Sequence, residues 1–451
     1  MRIAHLSAWY PPHTLGGTEI YVESLCATLR QLGHDLAVAA PLVSIPQPAR
    51  ETRAGIPTLR YPTPARPTKA EARGVVSARG SEHLIAWVRQ WKPDVVHVHS
   101  LSTGLHVPEL RDIAATGARV VLTLHLPTLT YVCQRGTLAI WGERACDGRR
   151  LRRRCAACAT EARGLPLPLA WMTAATPMMV ARAARHWPTP VATAIAMPAL
   201  IDDLADQQRE LFEVIDAAVP LNTISQAILA KNGAPPEKVV LNRLGISHAP
   251  RRKPLPDVAP TKSPVTIGYF GRLNTHKGVD DLVAAIDALP RELAARFVFH
   301  GIAADAVGRA LLDGLRALAN RRAGIEVKPE LAPHEVPSAL ANIDVLCAPS
   351  RWFENGPTIA LEAMAAGTPV IGTMLGGFCD FVEDGVSGRL LPPGDVRALT
   401  RALLDVASDP ANTIDRWRSR LPAPRTMHDV ARDYDGLYRR IVVAQASPVA
   451  G

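Results

Sequence analysis

The sequence predicts an α/β fold in which two doubly wound, Rossmann-like parallel sheets form separate domains of the 451-residue chain. Two observations predict this fold: strand and helix patterns alternate from residue 1 to about 126, and a second alternating series begins near residue 265. The stretch from Ala249 to Pro264 is rich in proline and basic residues, which is typical of a linker. Two sheets joined in this way predict a cleft between the domains, where a substrate is sequestered.

The first series is assigned from short apolar runs for strands and from helical apolar periodicity for helices. The predicted strands span 2–8, 34–40, 94–99 and 118–125, and the predicted helices span about 18–32, 79–91 and 107–116. A segment dense in Cys, Arg and Pro interrupts the alternation from about 127 to 210, and we interpret it as an insertion. The alternation resumes from Val214 to Gly245, so the first domain is expected to span 1–258.

The second series predicts a second Rossmann-like domain over 259–424. Its predicted strands span 265–270, 296–300, 324–328, 344–349, 369–373 and 389–391. Thr358 to Ala366 is predicted to be a helix entered through Gly356-Pro357, because proline is favoured at the start of a helix. The last helix, about 426–443 within 425–451, is amphipathic and is predicted to pack back on the N-terminal domain.

Composition and charge narrow the class of protein. Apolar residues make up 47% and charged residues 21%, which is typical of a well-buried globular protein. The net charge of +9 favours an anionic partner: nucleic acid, an acidic membrane leaflet or a phosphorylated substrate. Seven cysteines, an odd number, favour a reducing compartment, and the first strand does not resemble a signal peptide, so a cytoplasmic protein is expected. The uncharged stretch Gly164 to Ala181 carries three prolines and is not predicted to cross a membrane.

Two carboxylates lie eight positions apart across a loop-to-helix junction, at Glu354 and Glu362. In an open α/β sheet, ligands bind in the loops after the carboxyl ends of strands, and a helix N-terminus offers free N–H groups to an anion. The two glutamates therefore predict a ligand site, and the spacing alone is compatible with a general acid and base.

Two further turns carry candidate ligand contacts. Arg272 and Lys277 follow the first strand of the second domain and are placed to meet a pyrophosphate. Gly16 and Gly17 join the first strand to the first helix and let the backbone approach a ligand closely. The fingerprint GxGxxG is absent from both turns, which disfavours a nicotinamide enzyme.

These motifs occur in a recognisable order. Gly16-Gly17, residues 93–100, the strand-end His125, Gly271-Arg272 with Lys277-Gly278, Glu354 to Glu362 and residues 383–390 follow one another along the chain. In this respect the chain resembles the retaining GT-B glycosyltransferases of the glycosyltransferase family 4 type, over about 1–126 and 214–445. The resemblance implies transfer of a sugar from a nucleotide-diphosphate donor with retention of anomeric configuration, with no catalytic metal and no assigned covalent residue.

The resemblance also implies residue roles. Arg272 and Lys277 would neutralise the leaving diphosphate, Glu354 would face the donor sugar, and Glu362 would accept hydrogen bonds from the ribose hydroxyls. His125 would contact the sugar, although Leu126 stands where the family often has Asp. The implied catalytic residues are Glu354, Arg272, Lys277 and His125, and the implied donor-binding residues are Gly16, Gly17, Gly271, Asn355, Gly356, Pro357, Thr358 and Glu362.

The predicted insertion carries two features of its own. Cys133, Cys146, Cys155 and Cys158 have a spacing that suits a structural zinc site, with iron–sulfur ligation or four unliganded structural thiols as alternatives. The basic run 149–154 precedes apolar stretches at 165–180 and 187–201. This arrangement predicts peripheral contact with an anionic leaflet and a lipid-linked acceptor; the alternative is a solvated loop beside two core helices.

The leading hypothesis is a hexosyltransferase-type enzyme that uses a nucleotide-diphosphate sugar and builds a cell-surface glycan. Two alternatives keep the fold: a sugar-nucleotide epimerase of GT-B architecture, and a scaffold subunit without turnover. Nucleic-acid binding is disfavoured because the basic run lacks interleaved aromatic residues.

Overall fold

The computed structural model describes residues 1–13, 16–43, 45–142, 144–187, 189–247, 261 and 263–446. The chain divides into two compact units. Unit 1 comprises 1–137, 147–247 and 427–451, and unit 2 comprises 138–146 and 248–426. Most of the predicted linker, and the predicted boundary at 258/259, lie outside the described residues.

Unit 1 is built on a seven-stranded sheet. Its strands are β1 Arg2–Ser7, β2 Asp35–Leu42, β3 Ala49–Arg53, β4 Ile56–Pro62, β5 Val95–His99, β6 Arg119–Leu124 and β7 Ala217–Pro220. Their order is β3-β4-β2-β1-β5-β6-β7, and every pair is parallel except β3 with β4. The chain leaves β1 toward β2 and returns on the other side at β5, so the crevice outside the carboxyl ends of β1 and β5 is a topological switch point.

The hairpin β3–β4 was missing from the sequence prediction. Ala54 and Gly55 form its two-residue turn with φ of 49° and 75°, both in the left-handed region. Strand β3 is exposed along most of its length and shows no alternation of apolar and polar residues, because it lies at the edge of the sheet. An Ala-Gly turn is also a weaker hairpin signal than Asn-Gly.

Helices cover the sheet of unit 1, and the segment predicted as an insertion is largely helical. The helices are α1 Gly17–Gln31, α2 Lys69–Ala72, α3 Ser81–Trp91, α4 Val107–Ala114, α5 Arg152–Glu161, α6 Leu167–Ala174, α7 Met178–Ala184, α8 Pro190–Val214 and α9 Thr223–Lys231. In α8, Thr189 caps the first turn through the Ala192 N–H, and Pro190 is tolerated because it stands at the start. Within the described residues, no helix combines the length and the hydropathy needed to cross a bilayer.

The packing of α6 and α7 is inverted relative to an ordinary soluble helix. Their buried residues are the alanines Ala170, Ala174, Ala181 and Ala184, while most of their large apolar side chains are exposed. Small residues let α6 approach α5 and α8, and let α7 approach α8, closely. Together with the start of α8 these helices form what we call the α6–α7 surface: Leu167, Leu169, Trp171, Met172, Met179, Val180, Trp187 and Val191.

Unit 2 holds a six-stranded, all-parallel sheet. Its strands are β8 Val265–Arg272, β9 Ala295–Ile302, β10 Ile325–Lys328, β11 Val345–Cys347, β12 Val370–Thr373 and β13 Gly388–Leu391, in the order β10-β9-β8-β11-β12-β13. A short hairpin pairing 139–140 with 144–145 also belongs to this unit. The switch point here lies between β8 and β11.

The helices of unit 2 lie along both faces of this sheet. They are α10 Val279–Asp287, α11 Ala306–Arg321, α12 Val336–Ala341, α13 Thr358–Ala365, α14 Phe378–Phe381, α15 Val396–Ser408 and α16 Arg416–Ser419. One buried cluster packs the sheet against α10, α11 and α15, and another packs it against α12 and α13. The sheet is therefore covered on both faces, which is why its strands read as continuous apolar runs.

The C-terminal helix Met427–Ala446 packs within unit 1 against α1. Tyr434 hydrogen-bonds Thr123 Oγ1 at 2.7 Å and accepts from Tyr21 at 3.2 Å. Tyr438 hydrogen-bonds His97 Nδ1 at 2.6 Å. These buried contacts tie the end of the chain to the centre of the N-terminal sheet.

Candidate functional site

An ion pair marks the switch point of unit 2. Lys277 Nζ lies 2.5 Å from Glu354 Oε1, and Ser350 Oγ donates to the same carboxylate oxygen at 2.9 Å. Lys277 follows β8 and Glu354 follows β11, the two strands that flank the switch point. Glu354 is largely buried, with its side chain 13% exposed, and Lys277 is 37% exposed. The loops after both strands thus present one cation and one carboxylate at the same place.

Two glycines permit the close approach of these loops. A Cβ on Gly278, which has φ of 68°, would lie 1.9 Å from the carbonyl oxygen of Pro349. A Cβ on Gly376, which has φ of 55°, would lie 2.0 Å from the carbonyl oxygen of Glu354. The N–H of Gly377 donates to that same carbonyl at 2.7 Å. Glycine is therefore required at both positions for the loop that carries Glu354 to keep its path.

A second ion pair braces the same loop. The Arg351 guanidinium makes two hydrogen bonds to the Asp281 carboxylate, one of them from Nε at 2.6 Å, and it also contacts Asp280. The backbone N–H of Arg351 donates to the carbonyl of His276 at 2.8 Å. The loop before Glu354 is thus fixed to the turn that carries Lys277.

The remaining predicted residues of this unit surround the pair. Arg272, at the end of β8, is exposed and has no ion-pair partner in the described ranges, so its guanidinium is available to an anion. Asn355 is buried, with 5% exposure, which leaves its backbone and not its side chain to face a ligand. Gly356, Pro357 and Thr358 lead into α13. The N–H groups of Thr358 and Ile359 in its first turn have no hydrogen-bond partner among the described residues, so they can bind an anion.

Glu362 lies in α13, and burial raises the pKa of its carboxyl to about 7. Its carboxylate has no hydrogen-bond partner within the described part of the chain. A carboxylate that is desolvated and unpaired is poised to accept hydrogen bonds from a ligand.

The raised pKa of Glu362 predicts a pH-dependent effect of Glu362→Gln on stability. Burial favours the protonated carboxyl of Glu362 in the folded state. The folded state has its full stability below pH 4.5, and it loses stability as the pH rises from 4.5 through about 7, where the buried carboxyl ionises. Glutamine stays neutral, so we expect the variant and the native protein to unfold at similar urea concentrations near pH 4.5. Above pH 7 the variant should be more stable, by up to about 3 kcal/mol.

Urea unfolding at several pH values checks this expectation. Glu237→Gln, at an exposed glutamate of unit 1, is the control and should show no such trend. A stability difference for Glu362→Gln that stays constant from pH 5 to pH 8 would contradict the assignment.

In unit 1 the predicted residues Gly16 and Gly17 lie at the switch point beside β1. Gly16 is the N-cap of α1 and has an extended backbone, and a Cβ on Gly17 would meet no atom within 4 Å. A Cβ on Gly16, in contrast, would lie 2.9 Å from the Glu19 carboxylate, so glycine at that position lets this first-turn acid lie close to the start of α1.

His125 belongs to a chain of buried imidazoles. His99 Nδ1 lies 3.1 Å from His125 Nε2, and His99 Nε2 lies 2.9 Å from His5 Nδ1. Burial lowers the pKa of His125 and of His5 to about 3, and it lowers the pKa of His99 well below its usual range. All three rings are therefore neutral near pH 7, so His125 acts as a hydrogen-bonding group and not as a charged acid.

The direction of these hydrogen bonds follows from His5, the last imidazole of the series. His5 Nε2 is buried and has no hydrogen-bond partner among the described residues. Buried N–H groups without a partner are rarer than unsatisfied acceptors, so we assign the proton of His5 to Nδ1. His99 then donates from Nδ1, which leaves His125 with its own proton on Nδ1. The ring nitrogen of His125 that faces away from His99 is therefore a hydrogen-bond donor.

The sequence analysis missed His5, although it identified the motif that holds His97 and His99. Ligand atoms of these three side chains lie within 4.8 Å of one another, as a metal site requires. Five of their six ring nitrogens already make hydrogen bonds, to one another, Thr123, Tyr438 and His125. The cluster is thus explained as a hydrogen-bonded core. The register of β1 and β5, which pairs His5 with His97, is the signal that could have found it.

The four cysteines of the predicted metal site are distributed over both units. Cys133, Cys155 and Cys158 belong to unit 1, and Cys146 belongs to unit 2. Burial raises the pKa of the Cys155 thiol, while a hydrogen bond from the Leu151 N–H, 3.4 Å from Sγ, opposes that effect. The zinc interpretation stays a prediction, and metal analysis of the purified protein decides it.

Two family models match this chain. The model described as glycosyl transferases group 1 matches residues 254–421, and the model described as glycosyltransferase family 4 matches residues 15–164. Their ranges together cover more than half of the chain and contain both switch points. The chain belongs to the GT-B glycosyltransferases. The second match includes residues 127–164, part of the segment predicted as an insertion.

Individual relatives of this GT-B glycosyltransferase are glycosyltransferases as well. It is 30% identical to the putative colanic acid biosynthesis glycosyltransferase WcaL of Escherichia coli, over 45% of the chain and 50% of WcaL. It is 24% identical to the glycogen synthase of Mycobacterium tuberculosis, over 93% of the chain and 89% of that protein. The chain spans about half the length of WcaL.

Solved structures show the same fold. Sucrose-phosphate synthase from Thermosynechococcus elongatus has a TM-score of 0.63 at 17% identity, over 98% of this chain and 99% of that chain. HepE of Anabaena in complex with UDP has a TM-score of 0.58 at 15% identity, over 98% and 100%. At these identities the likeness establishes the GT-B fold and does not identify the substrates.

Proposed function

We propose that this GT-B glycosyltransferase moves a hexose from a nucleotide-diphosphate sugar to a glycan or lipid-linked acceptor in polysaccharide synthesis, with retention of anomeric configuration. The observation that carries the proposal is the meeting of Lys277 and Glu354 beside the free N-terminus of α13. A cation and free N–H groups stabilise a leaving diphosphate, and a carboxylate accepts hydrogen bonds from sugar hydroxyls. Arg272 adds a second cation that is not paired with an acid in the described ranges.

The names of relatives support the same reaction class. WcaL is named for colanic acid biosynthesis, and HepE was solved with UDP and with UDP-glucose. A donor site built from cations and N–H groups supplies the charge neutralisation that a metal ion gives in other transferases.

A two-stage experiment tests the proposal. Thermal unfolding with UDP-, GDP- and ADP-sugars identifies the donor, because a ligand that binds only the folded state raises the melting temperature. Proton NMR of the product then reports whether the anomeric configuration of the donor is kept. Inversion would contradict the retaining mechanism. Conversion of the donor to its epimer without an acceptor would contradict transfer itself.

We further propose that the protein works at an anionic membrane surface, through the α6–α7 surface. Eight of the sixteen exposed large apolar side chains in the described chain belong to this surface. Between Glu161 and Asp202 the sequence has three arginines and no acidic residue. Exposed aromatic and aliphatic side chains with a basic rim favour shallow insertion among anionic headgroups.

A further inference from the structure

A cavity of about 710 Å³ lies wholly within unit 1. Its walls come from α2, the end of β5, the loop after β6, the α7–α8 connection and α8. The volume is within the range of small-molecule sites, which are commonly about 300–1,000 Å³. His125 lines it, so the cavity adjoins the predicted sugar contact.

The floor of the cavity holds an unsatisfied hydroxyl. Ser100 is 3% exposed, and its Oγ has no hydrogen-bond partner among the described residues. Its backbone has φ of 73°, which a residue with a side chain rarely adopts. A buried hydroxyl without a partner is normally paired by a ligand or water, and Ser100 is one of the residues that line the cavity.

The rim of the cavity is cationic. Lys69, Arg73 and Arg185 line it together with His186, against a single carboxylate, Asp203. Arg185 Nη1 lies 2.9 Å from both oxygens of Asp203, so this acid compensates one cation and leaves the others. Guanidinium and ammonium groups around one opening favour a phosphate or diphosphate.

Part of the wall is apolar, and the lining reaches the edge of the α6–α7 surface. Leu126, Leu200 and Leu204 line the cavity. Arg185 and His186 line it too, and the next residue, Trp187, is 65% exposed and belongs to the α6–α7 surface. The lining therefore combines basic side chains with apolar ones. An amphiphile with a phosphate headgroup needs both kinds of contact in its binding site.

We propose that this cavity binds a lipid-linked acceptor through its phosphate or diphosphate, with the cations of Arg73 and Arg185 at the phosphate and Ser100 and His125 at the acceptor hydroxyl. The inference rests on the proposed transfer reaction and specifies the acceptor class for it. The lipid would continue past Trp187 along the α6–α7 surface.

Titration calorimetry on the full-length protein with three probes tests the proposal: a C15 prenyl diphosphate, inorganic pyrophosphate and the C15 prenyl alcohol. The prenyl diphosphate should bind at least tenfold more tightly than either other probe, because it alone carries both parts. Arg73→Ala should weaken its binding about tenfold, and the double variant with Arg185→Ala should weaken it further. Arg209→Ala, at an exposed arginine of α8 outside the cavity, should bind normally.

Binding of the nucleotide sugar to unit 2 is measured in the same variants and should be unchanged. Equal binding of pyrophosphate would overturn the lipid part, and equal binding of the alcohol would overturn the phosphate part. If the prenyl diphosphate does not bind while the nucleotide sugar does, the cavity proposal fails alone. Ser100→Ala tests the cavity with little risk of misfolding, since loss of an unpaired hydroxyl should leave the melting temperature unchanged. The same variant should still weaken sugar transfer.

Discussion

Lys277→Ala is expected to lower kcat/KM for sugar transfer by about 10²–10³-fold while the protein stays folded. The ammonium is the cation nearest Glu354, and its loss removes the positive charge that a diphosphate leaving group requires. It also leaves Glu354, whose side chain is 13% exposed, with the Ser350 hydroxyl as its hydrogen-bond donor beside an anionic sugar nucleotide. Both effects act most strongly when negative charge develops on the leaving group, so the loss should fall on kcat as well as KM.

Steady-state kinetics of the variant, with a melting curve to confirm the fold, checks this expectation. Lys231→Ala is a matched control, because this exposed lysine contacts one backbone carbonyl in unit 1. The double variant Lys277→Ala/Glu354→Gln separates the two effects: if the unpaired carboxylate causes part of the loss, neutralising it restores that part. Native activity in Lys277→Ala would refute the placement of the diphosphate.

The sequence was sufficient for the parallel sheets because their strands are buried on both faces. Val345–Cys347 and Val120–Leu122 are fully buried, and such strands appear as continuous apolar runs. The edge strand Ala49–Arg53 gave no comparable signal because it is mostly exposed. Ends of elements shifted by a few residues, as at the C-terminal helix, which begins at Met427 and runs to Ala446.

The meeting of Lys277 and Glu354 was predictable because motif and strand end coincide in the chain. Lys277 and Glu354 each follow a predicted strand, and parallel strand ends meet at one edge of the sheet. The cavity of unit 1 was not predictable, since its basic residues come from 69–73 and from 185–186, and only packing brings them together. The raised pKa of Glu362 likewise depends on burial, which a motif does not report.

Replacing Trp171, Met172 and Trp187 together by glutamine is expected to lower binding to anionic vesicles by about 10³-fold. These side chains are 43%, 70% and 65% exposed, so a membrane can bury most of their apolar area without rearranging the core. Burial of a large apolar side chain contributes about 1.5–3 kcal/mol, and three at the lower end give about three factors of ten. Stability should change little, because exposed side chains contribute little to the folded state.

Vesicle flotation with lipids of graded anionic content measures the effect. Val307→Gln/Met374→Gln, which removes two exposed apolar side chains from unit 2, is the matched control and should bind like the native protein. Arg182→Glu, on α7, should weaken binding mainly to anionic vesicles and mainly at low salt, because headgroup attraction is screened whereas apolar insertion is not. If neutral and anionic vesicles bind equally, the arginines have no role. If the triple variant binds as well as the native protein, the α6–α7 surface meets a different partner, and the lipid path proposed past Trp187 loses its support.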